Sequence, residues 1–316
     1  MTVDLAEAQL ATRVVFDNGH SADAGYPLAL VNVTNRCNLS CAHCFVYRDD
    51  NPNLSVGPRR EPSDDEICAT LTALRDRHGI GFMLWMGGEP LLRPDLLRRG
   101  VELFANNHVV TNGTRPLVDL GPDALYIVSL DGPEDVNDAV RGAGTYRRVM
   151  RTLTAIPESF STPVQVQCTV TRRNQDRLEE LVEAVAATRA GWMTFSFYVP
   201  PQPCADLGAG GVDDLGWATL GERMAAVEEV MRLKDAYPDF VRNRRRALEL
   251  MSPELAPTVT AACLPRKLLL PLYLDRDHFT TPFCCYGNDV DCSRCGAWVV
   301  FEMAALAEAQ RAEVPS

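Results

Sequence analysis

Between residues 28 and 198, short apolar runs alternate with amphipathic stretches, and this rhythm limits the fold more than any other feature of the chain. LALVNVT (28–34), FMLWM (82–86), HVVT (108–111), ALYIVSL (124–130), VQVQCTVT (164–171) and WMTFSFYV (192–199) are rich in β-formers and read as strands. Helical periods lie between them. Ser63 and Glu66 have capping-box spacing and open a helix whose Ile67, Leu71 and Leu74 share a face and which Gly79 closes. A helix is expected from Pro94 to Phe104, and another over 146–156 from the spacing of Val149, Leu153 and Ile156. Asn174 is expected to cap a helix carrying Leu178, Leu181, Val182 and Val185 on one face. Strand–helix alternation of this kind makes a parallel sheet with right-handed crossovers. The chain is therefore read as α/β, an open partial (β/α)6 barrel of TIM type, with a doubly wound sheet as the alternative. In either, chemistry belongs in the loops after the carboxyl ends of the strands.

Four regions are expected: an N-terminal extension (1–27), the barrel core (28–200), a linker or lid with a helical segment (201–256), and a cysteine-rich, metal-binding tail (257–316). PPQPCADLGAGGVDD (200–214) marks the linker by its Pro and Gly, and about 35 helical residues follow, ending near Met251. The net charge of −11 argues against a nucleic-acid binder, which needs a basic face. Arg242, Arg244, Arg245 and Arg246 read as a solvated helix face. No apolar stretch is long enough to span a membrane. The N-terminus lacks the apolar core and small-residue cleavage site of a signal peptide, so a cytoplasmic location is expected.

Of 11 cysteines, eight fall in two clusters: Cys37, Cys41, Cys44, and Cys263, Cys284, Cys285, Cys292, Cys295. In a reducing compartment such clusters point to metal or catalysis rather than disulfides. Cys68 and Cys168 sit inside apolar patterns and read as core residues. Cys37-Asn-Leu-Ser-Cys41-Ala-His-Cys44 directly follows the first strand. Three thiolates in eight residues cannot share one helix or strand face and converge only around a metal. Structural zinc wants four ligands; three cysteines leave one iron of a cubane cluster open to a reacting cofactor. An iron–sulfur cluster is favoured over zinc.

The CxxxCxxC string resembles the signature of the radical S-adenosylmethionine (SAM) superfamily. The resemblance runs over about 28–200 and is carried by further strings in order. Met86-Gly87-Gly88-Glu89-Pro90 ends the second strand and Thr111-Asn112-Gly113-Thr114 the third. Ser129-Leu130-Asp131-Gly132-Pro133 ends the fourth, before Arg141-Gly142-Ala143-Gly144-Thr145-Tyr146. The last two resemble the branch of peptide maturases and auxiliary-cluster enzymes. The resemblance implies a [4Fe–4S] cluster on Cys37, Cys41 and Cys44, whose open iron takes the methionine amino and carboxylate groups of SAM. It implies that Gly87 and Gly88 allow close backbone approach, that Glu89 faces the methionine ammonium, and that Ser129 and Arg141 face its carboxylate. His43 would lie against adenine or be merely solvated; Asn112 would contact ribose or cap a turn. It also implies a flavodoxin or ferredoxin as electron donor, and a 5′-deoxyadenosyl radical that takes a hydrogen atom from substrate.

The second cluster resembles a shortened auxiliary-cluster (SPASM or twitch) domain, without that domain's glycine-centred spacing. A second [4Fe–4S] cluster on Cys263, Cys284, Cys292 and Cys295 is the first expectation and zinc the second. One of Cys284 and Cys285 is then spare. Cys285, or Cys204 in the linker, is a candidate hydrogen-atom donor, each with an unreactive cysteine as the plainer reading. The expected activity is epimerisation or dehydrogenation of a small molecule in natural-product tailoring. The alternatives are a maturase of a ribosomally made short peptide, forming a crosslink or an epimer, and a non-catalytic iron–sulfur or zinc protein. Gln165, Gln167, Ser196 and Tyr198 are candidate pocket residues.

Overall fold

A computed structural model describes residues 11–44, 61–200, 214–275, 277–282 and 290–313. In chain order the elements are β1 (Val14–Val15), β2 (Leu28–Asn32), α1 (Asp64–His78), β3 (Phe82–Met86), α2 (Pro94–Gly100), β4 (Asn106–Thr111) and β5 (Ala124–Ser129). Then come α3 (Glu134–Arg141), α4 (Thr145–Thr154), β6 (Val164–Val170), α5 (Leu178–Ala186) and β7 (Trp192–Phe197). The chain continues through α6 (Leu220–Ala236), α7 (Arg245–Glu249), α8 (Ala256–Ala261), α9 (Leu264–Leu268), β8 (Leu269–Asp275), β9 (His278–Thr280) and α10 (Trp298–Glu313). It divides into two compact units made of interleaved segments.

The first unit comprises Met1–Val128, Ala155–Val164 and Arg266–Asn288. Its β2, β3, β4 and β5 are parallel neighbours, in register at Leu30↔Leu84, Leu84↔His108 and His108↔Leu125. Ala29, Val31, Met83, Trp85 and Val109 point to the opposite face and are fully buried. The sheet gains a strand that periodicity did not reveal: β8 lies parallel to β2, with β9 antiparallel beside it and β1 beyond. The run LLLPLYL is apolar throughout and holds Pro271, so neither alternation nor propensity marks it as a strand. The helix starts follow local chemistry. The Ser63 hydroxyl accepts the Glu66 N–H at 3.2 Å, the Glu66 carboxylate accepts the Ser63 N–H at 2.7 Å, and Gly79 closes α1 at φ +74°. The expected helix from Pro94 is shorter: α2 stops at Gly100 and tightens into a 3-10 turn over Val101–Leu103.

The second unit comprises Ser129–Thr154, Gln165–Pro265 and Asp289–Ser316. Its β6 and β7 pair in parallel from Gln165↔Trp192 to Val170↔Phe197. On α5, Leu178, Leu181, Val182 and Val185 are fully buried, as their spacing predicts. Asn174 does not cap that helix with its side chain. Its Oδ1 accepts the Thr171 N–H at 2.7 Å and its Nδ2 donates to the carbonyls of Asp131 and Thr169 at 2.8 Å, while a 3-10 turn over Gln175–Arg177 precedes α5. The expected long helix after the linker is broken: α6 ends at Ala236, because Pro238 denies Tyr237 a helical conformation. Asn243 then brackets Phe195, its side chain accepting that residue's N–H and donating to its carbonyl, both at 2.8 Å.

Candidate active site

The loop that bears the first three cysteines is fastened before it begins. β2 and β3 continue to bond past their strand ends: Val33 N–H donates to Met86 O at 2.9 Å, Gly88 N–H to Thr34 O at 2.8 Å and Glu89 N–H to Arg36 O at 2.9 Å. Residues 33–36 are thereby zipped to 86–89, one residue short of Cys37. Gly87 has φ +153°, and a Cβ there would stand 2.5 Å from Asn32 Oδ1 and 2.7 Å from Thr34 O. Only glycine fits. Its necessity lies in the approach of β3 to the chain that launches the cysteine loop.

Glu89 is completely buried. Its Oε1 accepts the Thr111 hydroxyl at 2.7 Å and the Leu91 N–H at 2.9 Å, and its Oε2 accepts the Asn112 N–H at 2.8 Å. Burial pushes the carboxyl up from its usual range, and these donors oppose the shift. The carboxylate thus ties the end of β4 to the end of β3. Asn112 carries the tie onward: its Nδ2 donates to Asn38 Oδ1 at 3.0 Å and to Cys37 Sγ at 3.9 Å, and its Oδ1 accepts the Thr114 N–H at 3.0 Å. Asn38 Nδ2 donates to Thr114 Oγ1 at 2.9 Å.

Cys37, Cys41 and Cys44 are all half-buried. Cys37 Sγ also accepts the Leu39 N–H at 3.4 Å. Burial raises its thiol pKa, the Leu39 N–H lowers it, and Glu89 and Cys44 are near enough to raise it further. Cys44 N–H bonds Cys41 O at 3.0 Å, and the Cys44 side chain packs against Leu30 and Tyr273. His43 is half-buried within the same loop. Several partners had no signal of their own in the sequence. Glu61 accepts the Asn35 N–H at 2.9 Å and the Thr34 hydroxyl at 2.9 Å, and Asn35 Nδ2 donates to Leu274 O at 2.8 Å. Only tertiary structure brings residues 61 and 274 to the loop.

The donor set suits a cubane. Amide N–H groups aimed at Cys37 Sγ stabilise a thiolate. A cubane takes each thiolate at a different iron, so its sulfurs stand further apart than the ligands of one ion. Among the described residues, no three His, Cys, Asp or Glu side chains converge as single-ion ligands do.

In the second unit, Ser129 is half-buried at the end of β5. Arg141 is buried, and its Nε donates to Asp131 Oδ2 at 2.6 Å; Asp131 Oδ1 accepts the Thr169 N–H at 2.8 Å. Of the candidate pocket residues, Gln165 is internally satisfied, donating to Thr194 Oγ1 and accepting from Trp192 Nε1, both at 2.8 Å. Gln167 and Tyr198 stay half-exposed. Ser196 Oγ accepts the Trp298 N–H at 3.2 Å. The C-terminal cysteine turn is anchored at the carboxyl end of β7: Phe197 N–H donates to Gly296 O at 2.8 Å, and Asp291 N–H to Pro200 O at 2.9 Å. Cys292 is exposed, and Cys263 and Cys295 are half-buried. Cys204, Cys284 and Cys285 lie outside the described residues. Cys168 is fully buried and its thiol pKa is driven far up by burial, as a core cysteine's should be.

Residues 31–185 match the model of the radical SAM superfamily. This stretch is a radical SAM domain. Mycofactocin maturase MftC of Mycolicibacterium smegmatis is 30% identical over 201 residues, 59% of this chain and 48% of its own. Sporulation killing factor maturation protein SkfB of Bacillus subtilis is 29% identical over 178 residues, 52% of this chain and 41% of its own. The chain therefore spans about half the length of the curated relatives it matches. SuiB of Streptococcus suis, solved with its precursor peptide SuiA, superposes with a TM-score of 0.58 at 16% identity, over 79% of this chain and 58% of SuiB. The solved neighbours share the fold of the expected partial barrel, and SuiB was also solved bound to S-adenosylmethionine. No helix among the described residues is long and apolar enough to cross a membrane.

Proposed function

We propose that this radical SAM enzyme is a maturase acting on a short peptide. The zipped cysteine loop, with its amide N–H groups on Cys37, is the observation that carries the radical chemistry. The peptide substrate is supported by the maturases among its relatives, MftC and SkfB. The small-molecule expectation has Pre-heme d1 synthase and a Probable GTP 3′,8-cyclase among the relatives, each over a shorter span than MftC. Bound cluster and SAM supply reductive cleavage to a 5′-deoxyadenosyl radical, which takes a hydrogen atom from substrate. Cys37, Cys41 and Cys44 would hold the cluster. Gly88 and Glu89 fix the loop's path; the Glu89 carboxylate, surrounded by protein donors, would act on SAM chiefly through Asn112 and the backbone it holds. Asp131 fixes the Arg141 guanidinium, which with Ser129 would receive the methionine carboxylate.

Each unit, taken by itself, has a strand face that suits a peptide. In the first unit, Leu84 and Met86 share a half-buried apolar face with His108, beside Cys44. In the second, Gln167, Thr169 and Tyr198 offer half-exposed hydrogen-bonding groups. Apolar side chains and backbone amides are what a peptide presents. A flavodoxin or ferredoxin would deliver the electron.

The test is anaerobic turnover with dithionite and SAM, with and without a synthetic peptide encoded beside the gene. Formation of 5′-deoxyadenosine with a peptide mass change, and deuterium transfer from labelled peptide, is the expected outcome. Replacing Cys37, Cys41 and Cys44 by Ala should abolish both. Deuterium transfer from a labelled amino sugar or nucleoside, and none from peptide, would restore the small-molecule reading.

A further inference from the structure

Arg223 on α6 is a buried cation with no anion beside it. It is 2% exposed. Its Nη1 donates to the carbonyls of Arg294 at 3.1 Å and Cys295 at 2.7 Å, and its Nη2 to Met251 O at 3.3 Å. Its Nε is buried without a hydrogen-bond partner. Carbonyls satisfy N–H groups but do not cancel a charge. The other buried arginine, Arg141, pairs with Asp131, and the partly buried Arg93 pairs with Asp64. Among the described residues no carboxylate pairs with Arg223. A buried guanidinium without a counter-ion is costly.

The surroundings show what anion would complete the site. Cys292 and Cys295 flank the turn whose carbonyls Arg223 grips. That turn is held without a metal: Asp291 Oδ1 accepts the Ser293 N–H at 3.0 Å, and Arg294 Nε donates to Asp291 Oδ2 at 2.7 Å. This neutralises Arg294 and leaves Arg223 as the uncompensated charge. α8, which leads to Cys263, packs on the same turn.

We propose that Arg223 is the counter-cation of a thiolate-ligated metal centre built on Cys263, Cys292 and Cys295. The proposal rests on the reading that these cysteines bind metal. Metal strips the protons from the thiols and leaves a net negative centre. The fixed guanidinium stabilises that charge, and for an iron–sulfur cluster, which gains another negative charge on reduction, it raises the potential. Arg223 acts through the thiolates and is a positioning residue.

The experiment uses full-length chain with Cys37, Cys41 and Cys44 replaced by Ala, so that only the C-terminal centre is read. Arg223→Met removes the charge and Arg223→Lys keeps it. Metal retention against a chelator should fall roughly 10- to 100-fold in Arg223→Met, and the midpoint potential of an iron–sulfur centre should move more negative. Arg223→Lys should keep most of both. Unchanged retention in Arg223→Met, or equal loss in Arg223→Lys, overturns the proposal. Melting guards against simple misfolding. Arg223→Met should lower the melting temperature with the C-terminal cysteines intact, and not when Cys292 and Cys295 are Ala. An equal drop in both backgrounds would make Arg223 a carbonyl clamp only. If Cys263→Ala, Cys292→Ala and Cys295→Ala cost no metal, the metal-centre reading itself fails.

Discussion

Two residues show how the active loop is made. Gly87 is held at φ +153° against Asn32 and Thr34. Gly87→Ala should cost about 2–3 kcal/mol and reduce iron incorporation, read by melting and by iron per chain. Wild-type iron content would show that the Asn32 contact relaxes freely. At Glu89 the geometry of donors matters more than charge. Glu89→Gln keeps the shape but turns an amide NH2 toward N–H and O–H donors. A loss of about 1–3 kcal/mol is expected, with weaker SAM binding by calorimetry. The GGEP string was legible in the sequence. Its bonds to Thr111, Leu91 and Asn112 were not, because they join residues two to 23 apart across strand ends.

Among the elements, α1 was readable to the residue, since a capping box and a C-terminal glycine are local chemistry. Ser63→Ala should cost about 1 kcal/mol, a fall of about 2–4 °C in a thermal melt for a domain of this size. β4 carries a pH-dependent element. Burial lowers the His108 pKa from 6.5 to about 4, and the ring lies edge-on to Phe82 at 4.7 Å between centroids. The neutral ring is the one the fold accepts. Below pH about 6.5 the unfolded chain takes up a proton that the folded chain refuses. Stability should therefore fall from pH about 6.5 to about 4, by at most roughly 3 kcal/mol. Urea midpoints across that range should show a flatter slope in His108→Gln. An unchanged slope would place the loss elsewhere. Where the sequence reading of elements missed, competition between local and distant bonds decided. Asn174 has ideal cap chemistry, but Asp131 and Thr169 carbonyls take its amide. α6 was overextended because its apolar period continues past Pro238.

For the whole molecule, the two cysteine clusters should be separable. Replacing Cys292 and Cys295 by Ala in reconstituted protein should lower iron from about eight to about four per chain, with 5′-deoxyadenosine still formed without peptide. Four irons in the unaltered chain would show that the C-terminal cysteines hold no second cluster.

The chain's order of residues determined by itself the strand–helix rhythm, the cysteine loop and the glycine–carboxylate turn that follows the second strand. These are written in spacing and local propensity, which act over a few residues. Tertiary structure alone decided that β8 from the tail lies beside β2, that Glu61 and Leu274 steady the first cysteine loop, and that Arg223 reaches the last one. Those contacts join residues 26 to 241 positions apart, where no periodicity carries information and only burial and hydrogen-bond satisfaction choose partners.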